Sequence, residues 1–272
     1  MSGAAMDGGR AGWVPSPLIA ASLALHAVAA ASLLIAPAGW PWALGAVIAD
    51  QILLTTLGML PRSAWLGPNW TRLPAAGAGC VALTIDDGPD PVVTPRVLDI
   101  LERYGAHATF FCIGEKVRRH PELCREMLRR GHAIENHGEH HYWHLALFGP
   151  RWLRREIEAG SESIAAVAGE APRFFRPTAG LRSPLLDPVL ARCGLRLASW
   201  TRRGFDTRRG DAATVLARLR RGLVERDILL LHDGNAAAGA DGLPLILAVL
   251  PPLLETLAAA RLRTVTLRSL LP

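Results

Sequence analysis

The stretch Val81-Ala-Leu-Thr-Ile-Asp-Asp-Gly-Pro-Asp90 decides how the rest of the chain is interpreted. Its β-branched and aliphatic residues predict a buried strand, and the Asp-Gly-Pro sequence after it indicates an abrupt end. Asp86 and Asp87 therefore stand together at a strand end, where burying two carboxylates is costly without a cation or a positive partner. We expect a metal ion, an arginine, or both at this point. A simple Asx-type turn that closes the strand is the alternative.

The composition limits the class of protein. The chain has 272 residues and a formal net charge of +6, but Lys116 is its only lysine and no block of like charge is interleaved with aromatic residues. This pattern favours solvated arginines on helices, and we predict neither a nucleic-acid nor a protein partner. The cysteines, Cys80, Cys112, Cys124 and Cys193, are scattered without a C-x-x-C pair, so no thiol chemistry is implied.

Two apolar runs precede the β-rich part of the chain. Residues 17–36 and 42–60 each approach the roughly 20 residues that a helix needs to cross a bilayer. We predict a membrane-anchoring hairpin within residues 1–73, followed by a folded domain over residues 74–272. A cleaved signal peptide followed by a buried helix is the alternative.

The charges that flank this hairpin give its orientation. Arg10 precedes the hairpin, Arg62 and Arg72 follow it, and the turn between the two runs carries no charge. Because cytoplasmic flanks carry the excess of arginine and lysine, we predict that both ends face the cytoplasm. The chain is then a multi-pass protein of a bacterial inner membrane, with its folded domain on the cytoplasmic side.

Short β-rich runs alternate with helical patterns after residue 80. The predicted strands are 81–85, 108–113, 132–136, 173–176, 195–200, 227–232 and 263–267. The predicted helices are 94–104, 121–131, 150–168, 184–193, 211–221 and 243–260. Thr94 should cap the first helix, and Pro251-Pro252 should kink or split the last. Seven βα units with short loops predict an α/β fold whose parallel strands close into a barrel.

Polar residues collect where the predicted strands end, which is where such barrels carry their reactive groups. They are Asp86-Asp87, 137–144, Arg176, 200–206 and His232-Asp233. His137 and His141 are four residues apart, and one carboxylate would complete an open three-ligand metal site with them. His140 and His144 share this spacing, so the register of the site stays open.

Single residues at the same rim have weaker support. Arg176 follows two phenylalanines and could steady whichever carboxylate is not a metal ligand. His232 ends an apolar run, where a lone histidine is more often a core residue than a catalyst, but its company at this rim favours function. The only support for a functional role of Asp206 is its place at this rim. Asp233 could equally be the turn residue of an Asp-Gly turn.

These motifs, in this order, resemble those of the polysaccharide deacetylases, carbohydrate esterases with a NodB-homology domain. The motifs that carry the resemblance are Thr84-Ile-Asp-Asp-Gly-Pro89, the His137/His141 pair after Glu135-Asn136, Arg176-Pro177 with Gly180, and Leu229-Leu-Leu-His232. The resemblance covers residues 80 to about 270. It implies a distorted (β/α) barrel of about seven strands and the metal-dependent hydrolysis of an amide or ester on a carbohydrate.

The resemblance also implies a role for each site residue. Asp86 resembles the general base, and Asp87, His137 and His141 resemble the ligands of a divalent metal ion. Zinc is the default ion, with cobalt or nickel as chemical alternatives.

The remaining roles concern the leaving group and the substrate. His232 resembles the general acid, Arg176 the residue that orients the base, and Asp206 the acid that tunes the histidine. A backbone N–H near Ala179 would help to hold the oxyanion, and Trp200 is assigned to the substrate site.

The chain departs from the family pattern around the substrate. Gly138 replaces a usual Ser or Thr, Tyr142 a usual Pro or Ser, Thr178-Ala179 the common Pro-Tyr, and Thr207 a usual Trp. The arginine-rich loop over residues 202–209, together with the membrane hairpin, predicts an anionic or lipid-linked glycan.

The leading function is N-deacetylation of an amino sugar by a membrane-anchored enzyme. The alternatives are a deformylase or O-deacetylase with the same machinery, a hydrolase of amides other than sugars, and a silent glycan-binding domain.

Overall fold

The computed structural model describes residues 12–208, 210–240 and 242–271. Arg10 and Arg209, which entered the predictions above, lie outside the described residues. The strands are β1 (Cys80–Asp86), β2 (Ala108–Cys112), β3 (Ala133–Asn136), β4 (Phe174–Phe175), β5 (Arg196–Leu197), β6 (Arg202–Arg203), β7 (Ile228–His232) and β8 (Arg263–Thr264). The helices are α1 (Pro17–Ile35), α2 (Trp40–Gly58), α3 (Val93–Arg103), α4 (Gly114–Arg119), α5 (Pro121–Arg129), α6 (Pro150–Ala168), α7 (Leu186–Arg192), α8 (Ala212–Arg220) and α9 (Leu245–Ala259).

Within the described residues, eight parallel strands form one curled sheet. Seven follow the order β5-β4-β3-β2-β1-β7-β6, and β8 pairs with the start of β1. The barrel is incomplete because β5 and β6 lie at opposite ends of this path. Trp70 and Arg72 form isolated bridges to Ala198, directly after β5, and to Asp227, directly before β7. The predicted α/β fold with a distorted parallel barrel is confirmed.

The register of β1 positions the first carboxylate. Asp86 pairs with Phe111 on β2 and with His232 on β7. Ala82 packs with Phe111 inside the barrel, whereas Leu83 packs in the cluster that the outer helices cover. Because side chains alternate along a strand, this register also directs the Asp86 side chain into the barrel.

Several local details differ from the predictions. The predicted strand 195–200 covers only β5, and the pairing of β6 with Leu229 and Leu230 was missed because two arginines have no strand signature. Thr94 does not cap α3; the Asp90 carboxylate accepts from the N–H groups of Val92 and Val93 instead. The helix α4 was also missed.

The proline pair does not interrupt α9. Pro251 and Pro252 lie inside one continuous helix, so they do not split it as one of the two predicted outcomes required. The side chains of Leu250 and Leu253 beside them are fully buried in the main core. Packing on the sheet therefore outweighs the hydrogen bonds that the two prolines remove.

The two N-terminal helices form an antiparallel hairpin, and both are long and apolar enough to cross a membrane. Only 11% of the apolar window in α1 and 17% of that in α2 is buried. Inside the hairpin, the Ser22 hydroxyl donates to the Asp50 carboxylate at 2.6 Å, and this pair joins the two helices. Such exposed apolar helices do not resemble the core of a water-soluble domain.

The end of the hairpin is attached to the folded domain. The N–H of Arg182 donates to the carbonyl of Gly58 at 3.1 Å, and the Ser199 hydroxyl donates to the carbonyl of Pro61 at 2.7 Å. Leu54 of α2 and Leu66 share a small buried cluster. The hairpin is thus fixed at the rim of the barrel where β4 and β5 end.

Candidate active site

The first carboxylate at the end of β1 is held by a buried arginine. Arg176 is fully buried, and its guanidinium donates to the Asp86 carboxylate at 2.6 Å and to the Thr84 hydroxyl at 2.9 Å. Its other N–H groups donate to the carbonyls of Ala198 and Ser199. Burial lowers the pKa of Arg176, while the charge of Asp86 raises it in part. Arg176 therefore fixes the position of Asp86 and neutralises its charge.

The second carboxylate faces two histidines. One oxygen of Asp87, Oδ1, lies 3.2 Å from His137 Nε2 and 3.0 Å from His141 Nε2. The residues Asp87 and His141 both have positive φ, 75° and 57°, a conformation that costs a non-glycine residue energy and clusters at functional sites. The three side chains form the group, among the described residues, that could hold a metal ion.

The donor atoms of this triad fit a divalent metal. The Nδ1 of His137 lies 2.6 Å from the carbonyl of Arg176, so it carries the proton and leaves Nε2 as a lone-pair donor. Asp87 Oδ1 is buried and has no hydrogen-bond partner among the described residues. One carboxylate oxygen and two imidazole nitrogens that meet at one point, with further positions open to the cavity, are the donors of a catalytic zinc site.

Charge around the triad favours the ionised carboxylate. Burial raises the pKa of Asp87, but the close approach and charge of His137 and His141 outweigh it and leave this pKa well below its usual range. Burial lowers the pKa of His137, and the charges of Asp86 and Asp87 more than reverse this. The two carboxylates therefore favour a positive charge at the triad, which a bound metal ion would supply.

A second histidine–carboxylate pair adjoins the cavity, with His232 on the cavity wall and Asp206 behind it. Asp206 accepts from the backbone N–H of His232 at 2.7 Å and from its Nδ1 at 2.9 Å. Burial lowers the pKa of His232, but the hydrogen bond and charge of Asp206 outweigh it, so this pKa lies above its usual value. With Nδ1 bound to Asp206, Nε2 is the nitrogen available to a substrate.

These groups surround one small cavity of about 200 Å³. Of the predicted site residues, those that line it are Asp86, Asp87, His137, His141, Ala179, Trp200 and His232. Arg176 and Asp206 lie behind the cavity wall and act on it through Asp86 and His232. Ala179 has a positive φ of 55°, while the N–H groups of Gly180 and Leu181 are used by carbonyls of the same turn.

The structure resolves the register that the histidine spacing left open. His140 points away from the cavity and lies 2.9 Å from a carboxylate oxygen of Glu156. His144 packs against the rings of Tyr142 and Phe148. The group that could hold a metal therefore contains His137 and His141, not His140 and His144.

Two residues that contact Asp87 were not predicted from the sequence. The Asn235 amide donates to Asp87 Oδ2 at 3.0 Å, and Lys116 Nζ donates to the Asp87 carbonyl at 2.8 Å. Asp233 lies behind them and accepts from the Thr94 hydroxyl at 2.5 Å, and burial raises its pKa to about 7. Asn235 follows His232 at the same strand end, which is the signal that could have found it.

Comparison with known proteins gives the family. The family model for polysaccharide deacetylases matches residues 74–198. The chain is 34% identical over 173 residues to a peptidoglycan-N-acetylglucosamine deacetylase of Bacillus cereus, covering 63% of this chain and 77% of that protein. It is 37% identical over 166 residues to a chitooligosaccharide deacetylase of Sinorhizobium fredii, covering 58% and 74%. The chain belongs to the polysaccharide deacetylase family, whose relatives here are hydrolases of carbon–nitrogen bonds in carbohydrates.

A solved structure shows the same fold. The family 4 carbohydrate esterase from Streptomyces lividans, solved in complex with acetate, superposes with a TM-score of 0.62 at 29% identity. The match covers 69% of this chain and 92% of that one. The predicted family resemblance is thereby confirmed.

Proposed function

We propose that this protein is a metal-dependent N-deacetylase that removes an acetyl group from an amino sugar. The observation that carries the proposal is the convergence of three units on one cavity. These units are the Asp87–His137–His141 triad, the Asp86–Arg176 pair and the His232–Asp206 pair. Binding of a glycan alone would need neither a base nor an acid placed beside a metal site.

Asp86 is the general base. Its carboxylate lines the cavity beside the triad, and it removes the proton of the water that attacks the acyl carbon. Arg176 donates a hydrogen bond to Oδ1 of Asp86. The other carboxylate oxygen, Oδ2, therefore faces the triad and lies 3.8 Å from His137 Nε2. A divalent ion held by the triad, zinc in the first place and cobalt or nickel as alternatives, would supply Lewis acidity that polarises the acyl oxygen and the attacking water.

His232 is the general acid. Its raised pKa favours the protonated imidazole, and its Nε2 donates a proton to the departing amine as the carbon–nitrogen bond breaks. The oxyanion that develops on the acyl carbon is held by the N–H of Ala179, which lies on the cavity wall. Asp206 fixes the tautomer of His232, and Trp200 shapes the wall on which the sugar lies.

The substrate in this proposal is a lipid-linked or otherwise anionic glycan at a bacterial inner membrane. The exposed apolar surfaces of α1 and α2 support a membrane anchor within residues 1–73, because both helices are long enough to span and few of their residues are buried. Arg62 and Arg72 follow the hairpin, and because cytoplasmic flanks carry the excess of arginine, the proposal puts residues 74–272 on the cytoplasmic side.

The experiment uses the full chain, purified in detergent and reloaded with zinc or cobalt. Acetate and formate released from N-acetylated and N-formylated glycans are measured for the wild type, Asp86→Asn and His141→Ala. We expect acetate release that falls about 10²- to 10⁴-fold in Asp86→Asn with its metal retained, since one proton transfer is lost. His141→Ala should lose both the metal and the activity, and its matched control His140→Ala should keep both.

The alternatives predict different outcomes. Release of formate without acetate would replace deacetylation with deformylation on the same machinery. Equal activity in His141→Ala and His140→Ala would contradict the assigned triad. A protein that binds glycan but holds no metal and releases no acid would be a silent binding domain.

A further inference from the structure

We propose that a second cavity, beside the catalytic one, binds a phosphate group of the substrate through Arg62, Arg203 and Arg218. This inference rests on the proposed function and adds the chemical class of the substrate. It also gives the N-terminal hairpin a part in recognition, because Arg62 belongs to the segment that follows α2.

The second cavity has a volume of about 610 Å³ and is strongly basic. Arginines at positions 62, 202, 203, 218 and 221 line it, and none of its lining residues that the structure describes is acidic. It shares Trp200 and Arg203 with the catalytic cavity, so a ligand can extend from one to the other. An unbalanced cluster of guanidinium groups next to a catalytic site is the arrangement that recognises an anion.

Not all of these arginines are available to a ligand. Arg202 donates to the buried Asp227 carboxylate at 2.5 Å and to the carbonyls of Arg221 and Gly222. Arg202 is therefore a structural residue that connects β6 to the loop before β7. The substrate contact predicted for the arginine-rich loop over residues 202–209 does not include Arg202.

Arg203 has the opposite character. Its guanidinium lies 5.3 Å from the ring of Trp200 and 5.1 Å from the ring of Phe205, and its Nε is buried without a hydrogen-bond partner among the described residues. Stacking on two rings holds the guanidinium in place, while its buried Nε–H has no acceptor among the described residues. A buried N–H without an acceptor is costly, and an oxyanion in the cavity would supply that acceptor.

Phe205 organises a second guanidinium. Its ring lies 5.6 Å from Arg218, and its backbone has a positive φ of 63°, a strained conformation for an aromatic residue. This turn presents Phe205 to the arginines while Asp206, the next residue, reaches the buried His232. The loop therefore connects the arginine cavity to the proposed general acid.

The hairpin completes the cavity. Arg62 lies four residues after the end of α2, and its guanidinium donates to the carbonyl of Thr201 at 3.1 Å. Pro61 packs so closely on Gly180 that a Cβ on this glycine would lie 2.6 Å from Pro61, and Gly180 has a φ of 74°. The arginines thus lie where the chain leaves the proposed membrane, at the level of a lipid headgroup.

A phosphate ester that joins an amino sugar to a lipid fits these constraints. Its charge matches several guanidinium groups, whose planar donors bind phosphate in a bidentate manner. Its lipid would remain in the membrane beside α2 while the sugar enters the catalytic cavity. The anionic headgroups of bulk phospholipid share this chemistry, and the experiment must separate the two sources.

The test compares two substrates on the full chain in detergent. One is an N-acetylated amino sugar joined through a phosphate to a prenyl chain, and the other is the same sugar joined to that chain without phosphate. We expect wild-type kcat/KM to favour the phosphate-linked substrate at least about tenfold, and Arg203→Gln and Arg62→Gln to remove most of this preference. Arg96→Gln is the matched control, because Arg96 is exposed on α3 and lines neither cavity.

Equal losses on both substrates in the two arginine variants would overturn the proposal. Competition by phosphatidylglycerol vesicles as strong as that by prenyl phosphate would also overturn it, because the site would then recognise bulk lipid. Binding of prenyl phosphate to Asp86→Asn, measured by calorimetry, requires no turnover. Arginine-dependent binding of prenyl phosphate without acetate release by the wild type would support the phosphate site and contradict the deacetylase proposal. Acetate release without arginine-dependent binding would support the deacetylase proposal and contradict the phosphate site.

Discussion

The catalytic cavity and the arginine cavity share Trp200 and Arg203, but their charged side chains differ in whether the protein itself supplies a partner of opposite charge. In the catalytic cavity, Asp86 is paired with Arg176 and His232 with Asp206, and each pair is buried. In the arginine cavity, no lining residue that the structure describes is acidic, and Arg203 is held by aromatic rings.

This difference separates two uses of a charged side chain. A charge that the chain itself balances is pre-positioned for chemistry, because its partner fixes its geometry and its protonation state. A charge that the chain leaves unbalanced indicates a ligand of opposite sign. Asp87 belongs to the second group although it lies in the first cavity, since its Oδ1 has no hydrogen-bond partner among the described residues.

The strongest way to break the balanced cavity is to replace Arg176 by Met. Asp86 would then be a buried carboxylate without its arginine, and breaking a buried ion pair of this kind costs about 3–5 kcal/mol of the free energy of unfolding. Urea unfolding of the full chain in detergent measures this loss, and acetate release should fall with it. The control Arg129→Gln removes an exposed pair with Glu126 and should leave the unfolding transition unchanged. Similar transitions in both variants would contradict the role given to Arg176.

A smaller effect is expected when Asp206 is replaced by Asn. The hydrogen bond and charge of Asp206 raise the pKa of His232, so the neutral amide lowers that pKa. If His232 is the general acid, as proposed, it must be protonated to donate, so kcat falls as pH rises through this pKa. The alkaline limb of the pH profile then moves to lower pH in Asp206→Asn. We expect a loss of up to about 10²-fold at alkaline pH and less at acid pH. A uniform loss at every pH would indicate a structural role instead.

The smallest effect concerns the junction between hairpin and arginine cavity. Ser199→Ala removes the hydrogen bond to the Pro61 carbonyl but keeps the Ser199 carbonyl that accepts from Arg176. We expect a stability loss of about 1 kcal/mol and a weaker preference for the phosphate-linked substrate. Ser269→Ala, which removes a surface hydrogen bond to the Thr266 carbonyl, is the matched control. An unchanged substrate preference in Ser199→Ala would show that the hairpin does not shape the arginine cavity.

Much of the fold follows from the sequence because β1 and β7 are continuous apolar runs that end in polar residues. The helix α6 was predicted with its observed bounds because Pro150 and Gly169 mark its ends. The strand β6 could not be predicted, because Arg202 and Arg203 join the sheet through pairing with β7 rather than through their own propensity. The effect of the proline pair in α9 was also misjudged, since tertiary packing decided it.

The candidate site divides in the same way. Residues at strand ends could be found because the topology brings strand ends together, and the family resemblance ordered them. Helical spacing could not separate His137/His141 from His140/His144, because the decisive contact, His140 with Glu156, joins distant parts of the chain. The distinction between Arg202 and Arg203 also depends on tertiary partners that one sequence does not reveal.

The proposed metal site of Asp87, His137 and His141 can be tested directly by removing and returning the ion. Zinc is removed from the full chain with a chelator and returned in steps, while bound metal and acetate release are recorded in the same samples. We predict that activity rises in proportion to bound metal and levels off at one ion per chain, that Asp87→Asn fails to bind it, and that Asp86→Asn binds it without regaining activity. Full activity in the metal-free protein, or metal binding that survives in Asp87→Asn, would contradict this account.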